Sequence, residues 1–232
     1  MLRNCSIVEI LNSTTAVKPV IITHLDDLLL WLSIITTNSL MAKNMTMIET
    51  PGYLQDAIQI LSVDGFKVSD CWYHGTTSGL AEVILEQGLK GSGDAELNKM
   101  TKKAMATIGN SYTERKEPIY LTQSKELAYY WAVQKLNARK HHFGVDETAV
   151  VLVVSLPEEL NKNVKTDVGA ATMLLEDKNA YIEYLRELYD SEKLLLSELD
   201  PSKIDRMDYL CRLGLAYFIK DISIENIQIL AE

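Results

Sequence analysis

The chain has 232 residues and a formal net charge of −9, with 47% hydrophobic and 24% charged residues. That composition suits one elaborated globular domain or two small ones, and it excludes collagen, a disulfide scaffold and a wholly disordered chain. The acid excess also argues against a generic nucleic-acid binder, whose partner is densely negative.

Residues 1–68 read as a mainly helical unit. Asp26 to Met41 carries Leu28, Leu29, Trp31, Leu32 and Ile35 at helical spacing, Pro51 and Gly52 signal a turn, and Tyr53 to Leu61 reads as a short helix. The longest apolar run, Leu28 to Ile35, is interrupted by Ser33 and falls short of the about 20 residues a bilayer needs. No basic segment followed by an apolar stretch opens the chain, so the expected setting is cytoplasmic, with no membrane partner. Cys5, Cys71 and Cys211 form no metal-binding or disulfide pattern, and three reduced thiols are expected.

The character changes near Val68, and residues 69–232 read as a second domain. Asp70 to Thr77 (DCWYHGTT) is predicted to be a strand running into a glycine-containing turn. Leu80 to Gly88 is a short amphipathic helix with Gly88 as its cap, and Lys90 to Lys116 a polar loop with some helix. Pro118 to Thr122 is a second strand, and Ser124 caps a helix from Lys125 to Lys140. Thr148 to Leu156, rich in β-branched residues and closed by Pro157, is the strongest strand. An acidic helical insertion spans about 173–212, with one long helix from Met173 to Leu199 and another from Ser202 to Arg212. Strands at Leu215 to Ile222 and Ile227 to Leu230 end the chain.

Charge is uneven. Lys99 to Lys140 holds nine basic residues against three glutamates, a local +6, and the remainder carries −15. Within or beside the predicted strands, His74 is the most informative residue. It is followed by Gly75, and a glycine there lets a ligand approach the backbone closely while imidazole and hydroxyl groups hold a ribose.

Five segments then fall in one order: WYHGTT from Trp72, ILEQGLKGSG from Ile84, PIYLTQSKELAYYWA from Pro118, AVVLVVSLPEELNKNVKTD from Ala149 and AYFIKDISIENI from Ala216. This order resembles the ADP-ribosyltransferase superfamily, in the histidine–tyrosine–glutamate branch that includes poly(ADP-ribose) polymerases and diphtheria-like toxins. The resemblance covers residues 70–232. It implies an α+β fold with a split, mostly antiparallel sheet, NAD as co-substrate and no metal. It implies that His74 bonds the nicotinamide-side ribose, Gly75 meets the nicotinamide amide through its backbone, Thr76 helps hold the adenosine side, and Tyr120 stacks near the nicotinamide ribose. Tyr130, or Tyr129 if the helix is shifted, would close the other face of the ring, where an aromatic surface suits a pyridinium.

The family's third element is a glutamate, and here that position is Ala216. Three explanations compete: an engineered substitution, natural loss of catalysis, or a shifted register in which Glu225 supplies the carboxylate. The otherwise intact constellation favours the first. The expected function is therefore mono-ADP-ribosyl transfer, toxin-like, in an inactive glutamate-to-alanine form. The alternative is a degenerate NAD- or nucleotide-binding or interaction module on the same fold. RNA, DNA and protein remain open as acceptors, and an antitoxin or regulatory protein is a candidate partner. Lys102, Lys103, Arg115, Lys116, Arg139 and Lys140 are the cations expected to steer a nucleic-acid backbone.

Overall fold

The computed structural model describes residues 49–230 except 92–93, 108, 110–117, 175, 177 and 195–204. The predicted helix from Asp26 to Met41, together with Arg115 and Lys116, lies outside the described residues. The chain divides into compact units between Ile48 and Glu49, so the expected boundary at residue 68 moves back. The reason is packing. Leu54 and Phe66 are buried, and Asp56 reaches across to cap a helix some seventy residues later.

The described elements run in order as follows: α1 (Ala57–Ile60), β1 (Leu61–Ser62), β2 (Gly65–Phe66), β3 (Cys71–Thr77), α2 (Ser78–Gln87), α3 (Ala95–Thr107), β4 (Ile119–Thr122), α4 (Lys125–Phe143) and β5 (Ala149–Ser155). Then come α5 (Glu158–Asn161), β6 (Lys165–Thr166), α6 (Val168–Met173), α7 (Ala180–Ser191), α8 (Arg206–Leu213), β7 (Leu215–Phe218) and β8 (Ile227–Ile229). β1 and β2 form a small hairpin, and the rest form a six-stranded sheet in the order β6-β7-β4-β3-β5-β8. Every neighbouring pair is antiparallel. The expected α+β class with an antiparallel sheet is therefore observed. Among the described residues, no helix is long and apolar enough to cross a membrane.

Local chemistry accounts for most boundaries. The Ser124 hydroxyl accepts from the N–H groups of Glu126 and Leu127, and Gly144 ends α4 in the left-handed region at φ 64°. Asp56 strengthens the same cap, accepting from Ser124 Oγ at 2.6 Å and from Lys125 N at 3.0 Å. Along β5, the β-branched residues alternate between the two sheet faces, with Leu152 and Val154 in the main core beside Trp72, Leu121 and Phe218. Val151 faces the other way, against Ala128 of α4 and Leu54.

Three predicted elements differ. The strand expected to turn at Gly75 continues to Thr77. Of the long helix expected from Met173 to Leu199, the described residues keep only α7: α6 ends at Met173, Lys178 adopts a positive φ of 62°, and Asn179 caps a fresh start at Ala180. The strand expected from Leu215 to Ile222 stops at Phe218, after which Ile222 forms an isolated bridge with Leu89.

Candidate functional site

His74 lies on β3, Tyr120 on β4 and Ala216 on β7, and these three strands are neighbours in the sheet. β4 and β7 are in register, with Tyr120 opposite Tyr217 and Leu121 opposite Ala216. β3 and β4 share one registered pair, Tyr73 with Thr122, and beyond it the strands part. In that seam the His74 Nδ1 lies 2.8 Å from the Tyr120 carbonyl oxygen.

This bond assigns the state of the ring. A carbonyl oxygen only accepts, so Nδ1 carries the proton and donates it. Burial, with the Lys135 ammonium second, lowers the imidazole from its ordinary 6.5 to about 4, against the opposing pull of the Tyr120 carbonyl. The ring is thus neutral at physiological pH, and Nε2 presents a lone pair. Such an atom accepts from a hydroxyl or an N–H, and it is ill-suited to an anion. Lys135 was not separable by sequence reasoning from the other basic residues of α4. Its effect on His74 arises only from the way α4 crosses β3.

Gly75 is where that crossing is closest. A Cβ built on it would stand 2.0 Å from the Ala128 carbonyl oxygen and 2.7 Å from the Ala132 nitrogen. The glycine is therefore required by helix-on-strand packing, and the α4 side of Gly75 is closed to a ligand. Thr76 departs further from its expected role. Its side chain is 0% exposed, opposite Val150 in the ladder, so it faces the interior and not an adenosine. Its hydroxyl has no protein hydrogen-bond partner.

The tyrosines separate by position. Tyr130 is 5% exposed and stacks on Tyr184, with centroids 4.9 Å apart and an interplanar angle of 19°, in contact with Trp131 and Tyr181 as well. It is core packing. Tyr129 is partly buried against Leu54, Ala128 and Val151. Tyr120 is 49% exposed. The Tyr73–Thr122 pairing puts Tyr120 on the Gly75 side of the sheet, opposite to the His74 side, so its contribution to His74 is the carbonyl and not the ring.

Ala216 is 0% exposed and belongs to the apolar core with Trp72, Leu121, Leu152 and Phe218. Glu225 sits in a turn leading into β8, at the opposite sheet edge from the β6–β7 pair, so it does not substitute for position 216.

Of the expected steering cations, Arg139 must be withdrawn. It is 5% exposed and is held by Asp94, by Glu147 at 2.8 Å and by Glu96 at 3.2 Å, with Phe143 beneath the guanidinium. Lys102, Lys103 and Lys140 are exposed, on α3 and at the end of α4. A pocket of about 470 Å³ lies between the β1–β2 hairpin and α8, where Phe66, Met207 and Cys211 line it, and none of the expected site residues does. No protein-family model, no curated protein and no solved structure matches the chain.

Proposed function

We propose that residues 49–232 bind NAD in the manner of a mono-ADP-ribosyltransferase, and that with Ala216 in place of the expected glutamate the chain holds NAD without turning it over. His74 carries this reading: a neutral imidazole, fixed through Nδ1 by the Tyr120 carbonyl, offers Nε2 as an acceptor for a ribose hydroxyl. Supporting it, the three positions expected to build the site lie on three adjacent strands.

In the transfer itself, the bond from ribose C1′ to the nicotinamide nitrogen breaks and its electron pair returns to the ring, so nicotinamide leaves neutral. The acceptor nucleophile bonds C1′ and gives up its proton. Positive charge gathers on the ribose on the way, and a carboxylate at position 216 would stabilise it.

Calorimetric titration is expected to give NAD binding by the full chain and a loss of about tenfold in His74→Ala. Absence of NAD binding by the unaltered chain would end this reading. Ala216→Glu is expected to release nicotinamide from NAD. A second reading, a non-catalytic NAD-binding module, is favoured by the burial of Ala216 in the apolar core. It prevails if Ala216→Glu folds, binds NAD and releases no nicotinamide.

A further inference from the structure

We propose that Lys165, Tyr217 and Tyr120 form a ledge that binds single-stranded nucleic acid. The ledge stands on its own geometry and does not rest on the transfer reading above.

Lys165 of β6 is opposite Tyr217 of β7, and Tyr217 is opposite Tyr120 of β4. Directly opposed residues of antiparallel strands project from the same face about 5 Å apart, so the three side chains stand in one line about 10 Å long. The next row, Thr166, Ala216 and Leu121, projects the other way, and all three are buried. Alternation therefore leaves no choice of face for the first row. Lys165 is exposed, Tyr120 is half-exposed and Tyr217 is partly buried.

Two aromatic side chains in register with a cation at the end match what an unpaired strand presents. Every base has a π-face that stacks on an aromatic ring irrespective of sequence, and each is joined to an anionic phosphate. Lys220, just beyond β7, is exposed as well. Tyr120 serves both sides of the sheet: its carbonyl holds His74, while its ring stands in the row on the face opposite to the His74 side chain.

The test is fluorescence anisotropy of labelled single strands of about 12 nucleotides, RNA and DNA, with the full chain and no NAD. The unaltered protein is expected to bind, more weakly as salt rises. Tyr120→Ala and Tyr217→Ala are each expected to weaken binding at least about fivefold, while Tyr120→Phe and Tyr217→Phe retain it. Lys165→Gln is expected to lower the slope of log affinity against log salt by about 0.7. No binding at low salt overturns the ledge. So does unchanged affinity and slope in Lys165→Gln, whose exposed position on an edge strand keeps that variant folded even if an alanine variant is not. NAD binding without oligonucleotide binding sinks the ledge alone, and oligonucleotide binding without NAD binding sinks the transfer reading and leaves the ledge standing.

Discussion

From Cys71 to Thr77, β3 is laddered to β5 residue by residue, whereas it meets β4 in the one registered pair of Tyr73 with Thr122. The β3–β5 half is made of long strands backed by α4 so closely that Gly75 has no room for a Cβ. The β4–β7–β6 half is made of short strands, and Tyr120 is half-exposed on it. Between the two, the Tyr120 carbonyl is satisfied by an imidazole. Backbone carbonyls are obligatory acceptors, and where the ladder parts a side chain can take the place of a strand partner. The seam thus orients His74 because one half holds β3 firmly while the other leaves room beside it.

The largest test breaks the firm half at Arg139. Arg139→Met leaves Asp94 and Glu147 without their shared cation and is expected to cost about 3–5 kcal/mol in urea denaturation. The Arg139 guanidinium holds the Glu147 carboxyl below its usual range, so that contribution is present at neutral pH and is lost as pH falls through the lowered value. The gap between parent and variant should therefore narrow in acid. An unchanged midpoint would mean that the hub does not hold α3, α4 and the β5 lead-in together.

Next in size is Gly75→Ala, expected to cost about 3 kcal/mol because the added methyl would overlap the α4 backbone. Gly52→Ala is its control: nothing lies within 4 Å of the added Cβ, and stability should hardly move. Equal effects would show that α4 does not approach β3 as described. Asp56→Ala is expected to cost about 1–2 kcal/mol through the lost α4 cap, and a neutral result would detach residues 49–68 from the sheet unit.

The smallest effect is one of pH at the seam. The His74 ring titrates at about 4 in the folded protein against an ordinary 6.5, so the unfolded chain takes the proton first. Its contribution to stability is complete above 6.5 and is lost as pH falls from 6.5 towards 4. Calorimetric NAD affinity should stay level from neutrality to about pH 5 and fall through about pH 4, as Nε2 takes a proton. A fall centred near 6.5 would mean that the ring is solvated and not held in the seam.

Much of the local structure was legible in the residues. Ser124 before an apolar-periodic stretch and Gly88 after one are caps whose chemistry acts within a few residues, and both were readable. The β5 segment AVVLVVS reads as a strand because branching at Cβ favours extended backbone. The gap between Met173 and Ala180 was harder, since an amphipathic pattern runs on across it while the preceding helix ends at Met173 and Lys178 takes a positive φ.

The candidate site was legible as positions but not as orientations. His74, Tyr120 and Ala216 could be picked out in the chain, and adjacent strands bring them together. Thr76 and Tyr130 could be picked out equally well, yet the fold buries them. Arg139 read like its exposed neighbour Lys140 until Asp94 and Glu147 arrived from distant segments to neutralise it.

By itself the sequence determined which stretches are strands and helices and where most of them start and stop, because caps, branching and periodicity act over a few bonds. Only the tertiary structure decided that Gly75 serves α4, that Lys135 depresses His74, and that Tyr217 and Lys165 line up with Tyr120. These depend on distances between residues far apart in the chain, which strand order and register set and no local pattern encodes.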